Sequence, residues 1–198
     1  MKKPLLNLLF LLKLKKMNFT KHNWVIGTVL ITLAAGMKVL TFPHSINPII
    51  AISLFSGAII RDRKWAFFLP IMAMFASDLM LEIFSITQGF YGLGQIGNYA
   101  ALLFVTSLGF LMKKPSFKNV AGLSIAGSLL FFFLSNTNCY FFDFADFYGK
   151  GVNGWLACLT AGIPFLRNGM LIDLMFSGIL FTTYHYFTIF NSKQVQSA

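Results

Sequence analysis

A series of apolar runs, separated by short polar or Pro/Gly-containing breaks, most constrains what this chain can fold into. The runs lie at roughly 24–42, 47–60, 65–86, 94–112, 119–138 and 168–190. Several reach or approach the ~20 residues that an α-helix needs to cross a bilayer. The chain is 57% hydrophobic and only 11% charged, whereas soluble domains are about 25% charged. We therefore predict an all-α integral membrane protein with six transmembrane helices.

The second run is shorter than a bilayer requires, so we expect it to begin in the preceding loop or to be buried within the protein. A further short helix is expected over residues 152–163, ending before Pro164. Because such a helix would be only ~18 Å long, we expect it to lie on the outer face or dip into it. The long connection over 139–167 would carry this outer cap.

The basic residues indicate on which side of the membrane each end of an apolar run lies. Most of the 16 Lys and Arg residues fall in four clusters: at the N-terminus, at 61–64, at 113–118 and at Lys193. With six spans, all four clusters lie on one side, which the positive-inside rule identifies as the cytoplasm. We expect residues 1–22 to form a basic cytoplasmic or interfacial arm, 23–191 the transmembrane domain and 192–198 a short cytoplasmic tail. This topology predicts a multi-pass protein of the bacterial inner membrane.

Several functional classes find no support in the sequence. The net charge of +10 is spread over loop clusters, not gathered on a soluble face, so we expect no nucleic-acid partner. No nucleophile elbow, HExxH or phosphate-binding loop is present, so we expect neither an enzyme nor a catalytic residue. The GxGxxG pattern at Gly92, Gly94 and Gly97 lies between two apolar runs, where we expect a hairpin. No metal site and no cofactor is expected, and Cys139 and Cys158 form no ligand motif.

Polar side chains within the apolar runs converge on one depth when the predicted topology is applied at ~1.5 Å per residue. This layer lies in the outer third of the bilayer, and intramembrane polar residues are candidates for function. The inner halves of the runs look almost purely apolar, which favours an outward pocket with a sealed floor over a channel. The predicted ligand-binding residues are Asn47, Asp78, Asn136, Asn168 and Asp173, with Lys38, Glu82 and Tyr148 as secondary candidates.

Asp78 and Glu82 share one helix face because they are four residues apart. Two ionised carboxylates this close repel in a low dielectric, so one should be protonated or bound to a cation. Three interpretations of Asp78 stay open: contact with a ligand or ion, a cap on a neighbouring helix, or a pair with Lys38 or Arg167. Glu82 is nearer the water and is expected at the interface.

The other candidates also have structural alternatives. Asp173 and Ser177, one turn apart, form either a ligand-facing stripe or a hydrogen bond between helices. Asn136 lines the pocket or caps the outer end of its helix. The aromatic residues over 140–148, Tyr148 among them, form a pocket wall or an interfacial belt. Small residues over 121–128 mark a face for close helix contact.

Four segments resemble a family of small, uncharacterised bacterial membrane proteins over about 140 residues: "FPHSINPIIAISLFSGA" (42–58), "LPIMAMFASDLML" (69–81), "SLLFFFLSN" (128–136) and "GWLACLTAGIPFLRNGMLIDLMFSGILF" (154–181). The residues that match the family pattern are Pro43, Asn47, Phe55, Gly57, Pro70, Ser77, Asp78, Asn136, Cys158, Pro164, Phe165, Asn168 and Asp173. The aromatic pair that usually follows the Asn of the fifth span is replaced here by Thr137-Asn138-Cys139-Tyr140.

The family's plan is similar to the substrate-binding S components of energy-coupling-factor (ECF) transporters, six-helix proteins with an outward pocket. Their first helix commonly carries an A-x-x-x-A docking motif, of which 28–39 has no clean copy. The similarity implies a membrane-embedded subunit that binds or takes up a small, vitamin-like molecule. Its partners would be the lipid bilayer, that ligand, and ECF-type coupling and ATPase subunits. The alternatives are a non-transporting structural or scaffold protein, or a proton- or cation-coupled carrier that uses Asp78 and Glu82.

Overall fold

The computed structural model describes residues 23–41, 47–142 and 146–196. Within these ranges, side chains are described from residue 28 to residue 186. The predicted N-terminal arm over 1–22 and the loop containing His44 lie outside the described residues. The predicted tail begins inside the last helix, where side chains are not described. The described chain contains six α-helices and no β-strand.

The helices follow the apolar runs in order: α1 is Asn23–Leu40, α2 is Ile49–Ile59, α3 is Arg63–Ile83, α4 is Leu93–Gly109, α5 is Phe117–Phe141 and α6 is Gly151–Gln196. The predicted all-α class and the order of the runs are confirmed. By length and hydropathy, three segments are suited to crossing a membrane: α3, α5 and the part of α6 over Gly151–Tyr186. Thr28–Leu40 and Ile49–Ile59 are shorter apolar helices.

Helix α2 forms the centre of the bundle. It packs against α3, α4, α5 and α6, and all of its residues from Ile49 to Ile59 are buried. An apolar helix this short satisfies its main chain internally and gains its stability from burial on every side. Phe55 packs edge-to-face against Phe181 and Tyr184 of α6, with ring centroids 5.3 and 5.9 Å apart. The interpretation of the second run as a segment buried within protein is confirmed.

Glycine allows α2 to approach α4 closely. A Cβ atom on Gly57 would collide with the carbonyl oxygen of Thr106, and one on Gly109 would collide with main-chain atoms of α2. Small residues at helix contacts permit this backbone-to-backbone packing, which is common where apolar helices associate. The remaining packing places α1 against α3 on one side of the bundle and α6 against α5 on the other.

The prediction of a separate outer helix over 152–163 was wrong, as was that of a loop over 139–167. Helix α5 continues to Phe141, and α6 runs without interruption from Gly151 through Pro164 to Gln196. At 1.5 Å per residue, α6 is about 69 Å long, far longer than the ~30 Å hydrocarbon layer. A single long helix therefore replaces the expected cap and last span.

Contacts with α5 on both sides of Pro164 explain why the helix continues. On the N-terminal side, the Trp155 indole donates to Thr137 Oγ1 at 3.1 Å, and the Cys158 thiol donates to the Asn136 carbonyl at 3.3 Å. On the C-terminal side, Asp173 is hydrogen-bonded to α5. Proline removes one main-chain hydrogen bond and disfavours the helical conformation before it, but packing of both halves on one partner helix offsets this penalty.

Candidate functional site

A buried ion pair joins α1 to α3. Lys38 Nζ lies 2.5 Å from Asp78 Oδ1. The Asp78 residue is 1% exposed, and the Lys38 side chain is 14% exposed. Lys38 reaches Asp78 because it lies in the last turn of α1, and α1 packs against α3, which carries Asp78 in its C-terminal half. Of the alternatives left open for Asp78, the structure shows the pair with Lys38.

Helix α4 completes the coordination of Asp78. Gln95 Nε2 donates to Asp78 Oδ2 at 2.6 Å, and the Tyr99 hydroxyl donates to the same oxygen at 2.9 Å. Gln95 and Tyr99 are four residues apart, so both project from one face of α4. The Asp78 carboxylate thus receives three charge-assisted or neutral hydrogen bonds from two helices, which is the condition under which a buried charge is tolerated. We call Lys38, Asp78, Gln95 and Tyr99 the Asp78 centre.

The connection between α3 and α4 folds over the Asp78 centre. Glu82 Oε2 accepts the main-chain N–H groups of Gly89 at 2.7 Å and Phe90 at 3.4 Å, and Gln95 Nε2 also lies 3.2 Å from the Gly89 carbonyl. A Cβ atom on Gly89 would collide with the Asp78 carbonyl, so only glycine permits this approach. Glu82 is exposed, and its carboxylate caps this loop.

A second buried carboxylate lies between α5 and α6. Asp173 is 2% exposed, and its Oδ2 accepts a hydrogen bond from Ser128 Oγ at 2.7 Å. One turn further along α6, Ser177 Oγ donates to Ser124 Oγ at 3.2 Å. Within the described part of the chain, no Lys, Arg or His side chain forms a salt bridge with Asp173. We call Asp173, Ser128, Ser177 and Ser124 the Asp173 centre.

The two centres are separate. The partners of Asp78 come from α1 and α4, whereas the partner of Asp173 comes from α5. Ser128 lies near the middle of α5, so Asp173 lies deeper in the bundle than the outer layer in which the sequence placed it. The hydrogen bonds of the described residues do not link the two carboxylates.

The predicted asparagines occupy different environments. Asn136 is half-buried, and its Nδ2 donates to the Phe132 carbonyl of its own helix at 2.8 Å. Asn168 is exposed on α6. Asn47 is half-buried just before α2, and its Oδ1 atom is buried with no hydrogen-bond partner among the described residues. Tyr148 is half-buried beside Phe147, with ring centroids 5.4 Å apart.

Four contributing residues were not among the predicted site residues, and most of them had a signal in the sequence. Gln95 and Tyr99 show the same four-residue spacing as Asp78 and Glu82 and lie at a matching depth on the next helix. Ser128 was interpreted only as part of a small-residue face, although its hydroxyl reaches Asp173. Asn138 was noted as a departure from the family pattern, but its Nδ2 donates to the Gly94 carbonyl at 2.5 Å and joins α5 to α4.

The described residues hold no cluster of three His, Cys, Asp or Glu side chains that could bind a metal ion. Cys139 is exposed and Cys158 is buried, and neither forms a disulfide within the described residues. The two centres contain carboxylate, amide and hydroxyl groups within an apolar bundle.

The fold and the two centres define a class: an all-α protein with membrane-compatible helices and carboxylates buried between them. Within that class, the chain belongs to the DUF6580 family, a family of unknown function whose model matches residues 18–196. The expected membership of an uncharacterised family is thereby confirmed. Comparison with curated proteins and with solved structures gave no match.

Proposed function

We propose that this protein is a membrane-embedded subunit that binds a small polar, vitamin-like molecule and takes part in its uptake, in the manner of an ECF transporter S component. In this proposal, all six helices lie in the bacterial inner membrane, with both termini in the cytoplasm. The apolar helices α3, α5 and α6 support it. The short α2 needs no lipid contact of its own because it is shielded by four neighbours.

The state of Asp173 carries the proposal. A buried carboxylate usually has a cationic partner or several hydrogen-bond donors, because a charge without compensation is costly in an apolar interior. Among the described residues, Asp173 has one donor, Ser128, while Asp78 has three. Asp173 therefore retains the capacity to accept a hydrogen bond or pair with a positive group from a ligand. Intramembrane acids of this kind are candidates for binding.

The Asp78 centre has a different role in this proposal. Its carboxylate is already neutralised by Lys38, and the α3–α4 loop lies over it. We assign it to closure of the outer end of the bundle, where it holds α1, α3 and α4 together. Ligand entry would then require the helices on the opposite side, α5 and α6, to separate.

Uptake would need further subunits. The sequence contains no phosphate-binding loop, so nucleotide hydrolysis would come from ATPase and coupling subunits, as the resemblance to S components implies. The Arg61–Lys64 and Lys113–Lys118 clusters would face these cytoplasmic partners.

Small molecules that co-purify with the protein test the proposal directly. We would extract them from wild-type protein and from Asp173→Asn and Glu82→Gln variants, and identify them by mass spectrometry. We expect a small polar molecule to accompany wild type and Glu82→Gln, and to be reduced at least tenfold with Asp173→Asn. Equal recovery of the small molecule from wild type and both variants would show that Asp173 is not part of the site. If no small molecule accompanies the protein from cells grown under conditions that induce uptake, the proposal is contradicted.

One observation favours a structural role as a second candidate. Both carboxylate oxygens of Asp78, the strongest candidate by sequence, accept hydrogen bonds from residues of the same chain, as expected of a residue that stabilises a scaffold. The carrier alternative has less support because Asp78 and Glu82 have different partners and do not converge on one cation position. A scaffold protein would tolerate Asp173→Asn with no effect on solute accumulation in cells.

A further inference from the structure

We propose that an anionic phospholipid binds at the end of the bundle where α4 connects to α5, with its headgroup phosphate held by Lys113 and Lys118. An open cavity of about 430 Å³ lies here. Lys113, Lys118 and Asn119 supply its polar lining, and Met112, Gly122 and Leu123 supply apolar walls. This inference rests on the proposed membrane location but not on solute uptake.

The charge at this end of the molecule is complementary to a phosphate group. Lys113 and Lys118 are exposed, and neither forms a salt bridge within the described residues. Helix packing also brings the basic cluster at 61–64 close to the end of α4, because the Arg63 guanidinium lies 5.6 Å from the centre of the Phe110 ring. Basic pockets at the cytoplasmic ends of membrane helices commonly bind anionic headgroups.

Asn119 is held in a fixed position at the cavity. Its Nδ2 donates to the Lys114 carbonyl at 3.0 Å, and its main-chain N–H donates to Ser116 Oγ at 3.3 Å. These bonds order the turn that carries both lysines, so less conformational entropy is lost when a headgroup binds.

An apolar path for an acyl chain begins at this cavity. Lys118, Gly122, Ile125 and Leu129 are spaced four, three and four residues apart, so they lie on one face of α5, and all four are exposed. A Cβ atom on Gly122 would have no neighbour within 4 Å, which leaves a shallow channel between the headgroup site and Ile125. A free phosphate ion would use the lysines but not this channel, so we assign the site to a lipid.

Native mass spectrometry of the full chain in detergent micelles, titrated with phosphatidylglycerol or phosphatidylcholine, tests this site. Each lysine near an anionic lipid contributes about a fivefold gain in affinity. We therefore expect Lys113→Ala/Lys118→Ala to weaken phosphatidylglycerol binding about 25-fold and to leave phosphatidylcholine binding unchanged. The matched control is Lys64→Ala/Lys114→Ala, which removes the same charge from exposed residues at the same end that do not line the cavity.

The Gly122→Leu variant tests the acyl-chain path. Leucine is a better helix former than glycine and has open space at this position, so the variant should fold; we expect phosphatidylglycerol binding to fall at least fivefold. Equal weakening by the two lysine pairs would overturn the site, because it would show only general electrostatic attraction. Displacement of the lipid by millimolar inorganic phosphate, with no effect of Gly122→Leu, would identify a phosphate site and overturn the lipid assignment.

Discussion

Replacing Lys38 with methionine would leave the Asp78 carboxylate buried without its counter-charge. Asp78 is 1% exposed, so solvent cannot compensate for the loss. Removing one partner of a buried ion pair typically costs 3–5 kcal/mol. Gln95 and Tyr99 would still donate to Asp78, so we expect a loss near the lower limit, about 3 kcal/mol. Asp78→Asn should cost a similar amount, because Lys38 would then lack an acceptor of opposite charge.

The double variant Lys38→Met/Asp78→Asn removes both charges together. If the two side chains interact as the structure shows, its loss of stability should be smaller than the sum of the single losses by about 2–3 kcal/mol, within the range of coupling energies for residues in contact. Glu82→Gln is the control, since it removes an exposed acid one turn away on the same helix. Its cost should stay below about 1 kcal/mol.

Reversible unfolding in mixed micelles, followed by tryptophan fluorescence, measures these free energies. Additivity of the two single variants to within about 0.5 kcal/mol would refute the reasoning. It would mean that Lys38 and Asp78 do not stabilise the bundle through their mutual contact. A large loss with Glu82→Gln would instead show that the contact of Glu82 with the α3–α4 connection, not the ion pair, holds this end of the bundle together.

Four further substitutions test the packing and the hydrogen bond between Ser128 and Asp173. Gly57→Ala should reduce stability by about 1–3 kcal/mol because its Cβ would force the Thr106 main chain to move. The control Gly36→Ala, in open space, should be neutral or stabilise by up to about 1 kcal/mol. Equal effects of the two variants in thermal unfolding would contradict the close α2–α4 contact. Pro164→Ala should leave helix content by circular dichroism unchanged and stability equal or higher, since α6 is continuous, and a marked loss would indicate a required break. Ser128→Ala should cost about 1–3 kcal/mol by removing the donor to Asp173, and no change in the unfolding midpoint would show that this bond is not formed.

The helical architecture was accessible from the sequence because hydropathy is a local property. The first five predicted runs each coincide with a described helix, and the sixth, 168–190, lies inside the longer α6. The prediction that a helix ends before Pro164 was wrong for the same reason. Local rules assign a helix end before a proline, but they do not include the α5 surface that contacts α6 on both sides of it.

The candidate site was only partly accessible. Depth along each helix follows from residue number, so the sequence could place Lys38 near Asp78, and the structure pairs them. Rotation of each helix about its axis is set by packing against neighbours, which no single run reveals. Asp78 and Asp173 therefore appeared to share one layer, although α3 directs the first toward α1 and α4 and α6 directs the second toward α5.

By itself, the sequence determined that this chain is helical, that several of its segments are apolar enough for a membrane, and that a small set of acids lies within the apolar runs. These properties depend on composition and on short-range spacing, which are complete in the sequence. Only the tertiary structure decided that α2 is central, that α6 is one helix, and that, among the described residues, three donors reach Asp78 while one reaches Asp173. Those outcomes depend on which helix faces meet, and a buried polar side chain acquires its character from the donors that its neighbours bring within hydrogen-bonding distance.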